Sequence, residues 1–259
     1  MKIAAWVALA GMAGVAGTAN AQAVFAGQNF NALSDADTFN SDSFGIGTSN
    51  NLLTNAGANN VGGPGLDFQT FWTDTRGNIG PVDPAGENGD FIGVNSFSGS
   101  NAPDVGFNGS PVASGSEHNF QFNDGDGRLD LVFEAVDTTG FTQRSVDVKY
   151  WINDTSYEAD DSFVISLSDG INTVTALSFG ESELEANASI DDGSNNWRSL
   201  SFDLDAAGLG PVVTLTISAD TNSGSENIFL DNIGFKGVPT PGAAGLLALG
   251  GLVAARRRR

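Results

Sequence analysis

Short runs in which apolar and polar residues alternate constrain this chain more than any other feature, because they fit a strand with one buried face. From Ser145 to Ile152, the residues Val146, Val148, Tyr150 and Ile152 alternate with Asp147, Lys149 and Trp151. Phe163, Ile165 and Leu167 repeat the pattern, as do Leu200, Phe202 and Leu204. Val213, Leu215, Ile217 and Ala219 face one way while Thr214, Thr216 and Ser218 face the other. Leu129 to Val136 and Ile228 to Phe235 complete at least six strands in the second half. Turn-forming clusters separate these runs, at Asn123-Asp124-Gly125-Asp126-Gly127, Ser168-Asp169-Gly170, Asp191-Asp192-Gly193-Ser194 and Asn222-Ser223-Gly224. No window from 24 to 237 shows sustained apolar spacing of three and four residues, and the stretches rich in Gly, Asn, Ser and Asp disfavour helix.

The first half is less regular. Residues 24–30, 68–72 and 91–97 fit strands, whereas 45–65 and 77–89 read as long loops, a length that usually goes with function or mobility. No internal repeat and no clean linker precede Gly237. Residues 24–237 are therefore expected to form one all-β domain, an antiparallel β-sandwich of jelly-roll type. Its expected core holds Val146, Val148, Phe163, Ile165, Phe202, Val213, Leu215, Ile217, Leu230 and Ile233.

Composition narrows the chemistry. No cysteine and one histidine, His118, remove thiol catalysis, disulfides, cysteine-ligated zinc, iron–sulfur centres and two-histidine metal sites. A Ser-His-Asp triad has only His118 to draw on, and that residue, between Glu117 and Asn119 in a Gly- and Ser-rich region, reads as a surface residue. Apolar residues make up 40 % of the chain, with 18 Phe, enough for a real core. Of the 11 Lys and Arg, one precedes residue 24 and four follow residue 237, so 24–237 holds six basic residues against all 31 acidic ones, a net charge of −25. Such a surface repels nucleic-acid phosphates and anionic headgroups and favours divalent cations, so no nucleic-acid partner is expected.

Both ends read as addresses. Met1-Lys2-Ile3, an apolar run from Ala4 to Val15 and the small residues Ala19-Asn20-Ala21-Gln22-Ala23 have the order of a secretory signal peptide, so residues 1–23 are expected to be removed after Ala21 or Ala23 on export. At the other end Val238-Pro239-Thr240-Pro241-Gly242 precedes the apolar stretch 243–255 and then Arg256, Arg257, Arg258 and Arg259. Thirteen apolar or glycine residues rise only about 20 Å as a helix against a hydrocarbon core of roughly 30 Å, a short transmembrane helix that snorkelling arginines extend. The positive-inside bias keeps those arginines cytoplasmic, acting as a membrane stop.

Residues 238–259 resemble the PEP-CTERM sorting signal of Gram-negative bacteria, recognised by exosortase, a membrane transpeptidase-like enzyme. Thr240 stands where the usual motif has Glu between its two prolines. The resemblance implies an exosortase-like sorting enzyme and the export machinery as partners, and transient residence at the inner membrane. It also implies a final place at the cell surface or in an extracellular matrix and a link to exopolysaccharide. A plain C-terminal anchor is the alternative reading.

Ser225 to Phe235, with Leu230-Asp231-Asn232-Ile233 at its centre, is similar to the last strand of jelly-roll modules of the carbohydrate-binding type, and Gln28-Asn29-Phe30-Asn31 fits the first strand that neighbours it. This resemblance implies that Asp231 with Asn31 helps hold a structural calcium, where the plain alternative is a cap on a strand end. From the residues themselves, Asp124, Asp126 and Asp130 lie on a glycine-rich turn whose alternate carboxylates let several oxygens converge on calcium. The EF-hand pattern fails there at Arg128 and Ala135, and a solvated turn is the alternative.

Trp151 and Tyr157 flank the acidic stretch 153–161, and aromatic faces beside carboxylates suit a glycan. Core packing explains Trp151 equally, and Trp72 and Trp197 carry the same ambiguity. Glycoside hydrolysis needs two carboxylates about 5 to 10 Å apart, and Glu181-Ser182-Glu183-Leu184-Glu185 is the one suggestive run, although it reads better as an exposed acidic turn. The function expected is a non-catalytic cell-envelope or matrix protein that binds glycan, exopolysaccharide or another surface protein. It requires no cofactor beyond a structural calcium; a secreted glycan-degrading enzyme is the alternative.

Overall fold

The computed structural model describes residues 22–30, 65–73, 75, 91–95, 119–125, 127–153, 156–188 and 197–240. Asn31, His118, Asp126, Pro241, Gly242, Arg256, Arg257, Arg258 and Arg259 lie outside them, as do residues 1–21, loop 77–89, most of loop 45–65 and the side chain of Trp72.

Twelve strands and one helix follow in order: β1 (Ala23–Gln28), β2 (Phe68–Thr73), β3 (Phe91–Asn95), β4 (Asn119–Asn123), β5 (Gly127–Phe133), β6 (Val136–Asp137), β7 (Phe141–Asn153), β8 (Ser162–Ser168), β9 (Thr173–Phe179), α1 (Glu181–Asn187), β10 (Arg198–Asp203), β11 (Val212–Thr221) and β12 (Asn227–Pro239). They build two antiparallel sheets. The first runs β10-β7-β12-β4-β3, and the second runs β2-β5-β11-β8-β9 with β6 joined to β11. β12 is the spine of the first sheet: β7 pairs along one side, while β4 takes residues 227–230 and β1 takes residues 233–237 on the other. The first strand does neighbour the last, as its sequence suggested.

The alternating runs meet between the sheets. Val146, Val148, Tyr150 and Ile152 of β7 face Leu129, Leu131 and Phe133 of β5, Phe163, Ile165 and Leu167 of β8, and Val213, Leu215 and Ile217 of β11 in one apolar cluster. Each such burial is worth about 1.5–3 kcal/mol. All the residues expected in the core are buried except Phe202, which is partly buried and packs against the same cluster. Phe30, Phe68 and Phe120 close one flank, with Phe68 edge-on to Phe120 at 5.8 Å.

Three elements depart from the sequence reading. β4 and β9 were not expected as strands, and residues 181–187 form a short helix where an exposed acidic turn was expected. The helix exists because Leu184 docks fully buried, Glu183 Oε2 accepts the Gly180 N–H at 3.2 Å, and the acids of the first turn suit the positive end of the helix. Glu181, Glu183 and Glu185 point to solvent. β12 also continues past Gly237: Val238 pairs with Thr142, Pro239 with Phe141, and the Thr240 N–H donates to the Gly140 carbonyl. Among the described residues no helix is long and apolar enough to cross a membrane; the stretch 243–255 is not among them.

Candidate functional site

Two features stand out from the framework, one on the outer face of the first sheet and one at the end of the sandwich. Alternation along β7 turns Ser145, Asp147, Lys149 and Trp151 away from the core, and along β12 it does the same for Asn227, Phe229 and Asp231.

The half of this face near the start of β12 is closed. Trp151 stacks on its cross-strand partner Phe229 with ring centroids 5.2 Å apart, meets Trp197 at 6.3 Å and is fully buried. Asn119, Gln121 and Asn123 of β4 are buried beside them, and Gln121 Nε2 donates to Asn227 Oδ1 at 2.7 Å. Tyr157 is 3 % exposed, its hydroxyl within hydrogen-bond distance of the Asn153 and Asn227 carbonyls. The expectation that Trp151 and Tyr157 offer their faces to a glycan is therefore corrected: cross-strand stacking and two carbonyl acceptors have already claimed them.

The other half opens at a bulge. The register of β12 slips between Asp231 and Gly234, Asn232 takes a left-handed φ of 47°, and Asp231 Oδ1 accepts the Asn232 N–H at 2.6 Å. Beyond the slip lies a cleft of about 270 Å³ lined by Val24, Asp147, Lys149, Ser199, Asn232 and Lys236. Lys149 and Lys236 are the two lysines of residues 24–237, and both border this cleft. Lys236 pairs with Asp147, whose other oxygen accepts the Ser201 hydroxyl at 2.8 Å.

At the end of the sandwich, three carboxylates converge. Glu158 and Asp161 come from the β7–β8 connection and Glu226 from the residue before β12, with one oxygen of each within 4.8 Å of the others. Asp161 and Glu226 are buried. Glu226 Oε2 accepts the backbone N–H groups of Asn222 at 2.9 Å and Ser223 at 3.1 Å, while Oε1, equally buried, accepts none. Burial, and then the Asp161 and Glu158 carboxylates, push Glu226 up to about 8 against the pull of the Asn222 N–H.

This end is where the chain changes sheets. The β7–β8, β11–β12 and β4–β5 connections all cross there, and Asn123 Nδ2 ties two of them by donating to the Gly224 and Glu226 carbonyls at 3.0 Å. Asp124 lies on the β4–β5 connection with a φ of 49°. Asp130 does not join it, which corrects the expected Asp124–Asp126–Asp130 grouping. β5 begins at Gly127, so Asp130 is carried about 10 Å along the strand, where Arg128 pairs with it at 3.1 Å and Ser218 Oγ donates to it at 2.6 Å. Asp231 is buried at the bulge, and its expected companion Asn31 is outside the described residues. Sequence reasoning missed Glu226, which sits between Ser225 and Asn227 with no local pattern to mark it.

No family model and no curated protein matches the chain. Solved structures do. A carbohydrate-binding module, TmCBM61 in complex with β-1,4-galactotriose, is 13 % identical over 65 % of this chain and 86 % of its own, with a TM-score of 0.36. The K2 cleaved adhesin domain of Lys-gingipain is 15 % identical over 65 % and 87 %, at 0.37. A Stig cyclase, Fisc from Fischerella sp. TAU, is 12 % identical over 66 % and 85 %, at 0.36. The likeness is distant and is one of fold. The function of this sandwich is argued from its own side chains.

Proposed function

We propose that this chain is an exported, non-catalytic module of the cell envelope or extracellular matrix, a sandwich of jelly-roll type that binds an acidic glycan at the lysine-bordered cleft. The observation that carries the reading is the placement of Lys149 and Lys236 on one cleft of a body with a net charge of −25. With Lys236 paired to Asp147, Lys149 is the positive charge left to attract a ligand carboxylate in a negative field, and Asn232 and Ser199 supply neutral donors and acceptors for hydroxyls. Among the described residues Asp147 is the one acid lining the cleft and is held by Lys236 and Ser201, which suits binding rather than general acid–base work.

The export reading is supported by where the strands stop. β1 starts at Ala23, next to the expected cleavage sites, and β12 ends at Pro239 inside Val-Pro-Thr-Pro-Gly; Ala23 and Gly237 are ladder partners. Both ends thus leave the same edge, and the body projects from whatever holds them. The reading includes a short membrane helix at 243–255, an exosortase-like enzyme acting near residues 238–242, and a cell-surface destination.

The test uses the full chain in mild detergent, titrated against uronate-containing and neutral polysaccharides by calorimetry. Lys149→Ala is expected to weaken uronate binding tenfold or more, the loss of one charge-assisted hydrogen bond worth about 1.5–3 kcal/mol, with unfolding unchanged. Equal binding by the variant sinks the cleft, and release of reducing sugar overturns the non-catalytic part. Mass spectrometry of surface-localised protein with its tetra-arginine tail intact would remove the sorting step.

A further inference from the structure

We propose that Glu158, Asp161 and Glu226 bind one calcium ion that fastens the β7–β8 connection to the β11–β12 connection at the sheet-crossing end of the sandwich. Three acidic oxygens within 4.8 Å of one another would not suffice alone. The second observation is Glu226 Oε1: a carboxylate oxygen, fully buried, on a side chain held in place by two backbone N–H groups, that accepts no hydrogen bond. An orphan acceptor at zero exposure costs free energy unless a proton or a cation completes it, and Arg and Lys are absent from both connections. Without metal a proton near Glu158 does so, and calcium would displace it.

The donor set names the ion. All three ligands are carboxylates, with no nitrogen or sulfur, which selects a hard cation over zinc or copper. Two oxygens bound to calcium at 2.3–2.6 Å are at most about 5 Å apart, so three oxygens within 4.8 Å of one another can share one ion after small adjustments. Magnesium demands near-ideal octahedral geometry at about 2.0–2.1 Å and sheds its waters reluctantly, which suits a half-buried set of three carboxylates less well. Glu158 is exposed, which leaves an open side where water completes the coordination.

The consequence is structural. β7 and β12 belong to the first sheet, β8 and β11 to the second, so an ion shared by Glu226 and the Glu158–Asp161 pair bridges two sheet crossings nearly 70 residues apart in sequence. It does so in a chain that has no cysteine to bridge them. This site is separate from the lysine cleft, so failure of one reading leaves the other standing.

The experiment is thermal unfolding of the full chain in chelator and then in millimolar calcium or magnesium, with terbium luminescence as a direct probe, since Tyr157 adjoins Glu158 and can sensitise it. Calcium at a hundredfold excess over its dissociation constant is expected to raise the melting temperature by about 5–10 °C. Glu226→Gln removes the shift and the terbium signal while melting in chelator no lower than the parent, since Glu226, pushed up to about 8, is already mostly neutral there and the amide keeps its shape. Asp130→Asn keeps the full shift. A calcium shift that survives Glu226→Gln, an equal response to magnesium, or no response in the parent chain each overturns the proposal.

Discussion

Arg144 spreads its guanidinium over four acceptors: Asp205 Oδ1 at 2.6 Å, and Thr138 Oγ1, Leu209 O and Gly210 O at 2.8 Å each. Lysine keeps the charge but not the planar fork, so Arg144→Lys is expected to cost about 2–4 kcal/mol in urea unfolding. Burial pushes Asp205 up, but the hydrogen bonds and charge of Arg144 outweigh it and hold the carboxyl below its ordinary value. A folded pKa lowered in this way gives stabilisation that is present above the unfolded pKa and lost as pH falls through the folded one. The stability gap between the parent and Arg144→Ala should therefore narrow as pH drops below about 4, which unfolding curves at several pH values will show. None of this was readable in the sequence. Two of the acceptors are backbone carbonyls 65 and 66 residues away, and Glu226 escaped notice for a related reason: its N–H partners are local, but the Glu158–Asp161 loop is brought to it only by the fold.

Elements were legible where one face is wet. β8 and β11 alternate because one side packs in the core and the other carries Ser and Thr, and their register follows. β4 was missed although Asn119-Phe120-Gln121-Phe122-Asn123 alternates: the run is only five residues long, and both its faces are covered, so its polar side is as buried as Phe120 and Phe122. β9 was missed because its pairing with β8 slips between Ile165 and Ser166, which breaks the period at Ala176. α1 has seven residues and one buried side chain, too little for a helical period. The union of β1 with β12 and β7 rests on a glycine: a Cβ at Gly237 would lie 2.9 Å from Phe141 Cβ and 3.2 Å from Phe25 Cε1, where those two rings stack at 4.0 Å. Gly237→Ala is expected to cost about 1–3 kcal/mol and to speed amide exchange in β1 more than in β8, as hydrogen-exchange mass spectrometry can resolve. Equal protection in β1 before and after the change would show that the ring pair adapts.

For the whole molecule, the two-sheet antiparallel fold followed from periodicity, whereas the candidate sites did not, since periodicity says which face is buried and nothing about which distant loops meet. Charge works at this scale too. A body at −25 repels itself, so raising sodium chloride from about 10 mM to 500 mM should lift the melting temperature even in chelator, because the Debye length shrinks from about 30 Å to a few ångströms. Glu226→Gln should keep that salt response, which separates general screening from an ion held at one site; a salt-independent melting temperature would mean the charges are already well spaced.

The long β12 has a mechanical side. Its thirteen residues are hydrogen-bonded to β7 on one flank and to β4 and β1 on the other, and the bonds lie across the strand axis. A pull applied beyond residue 240 runs along that axis and loads both ladders in shear at once, so no single bond can fail first. β12 is thus the strand hardest to extract. In a pulling experiment with the second handle at the exposed Ala159, at the sheet-crossing end opposite residues 22 and 240, rupture from the C-terminal side should need more force than rupture from residue 22, where only the β1 ladder bears the load.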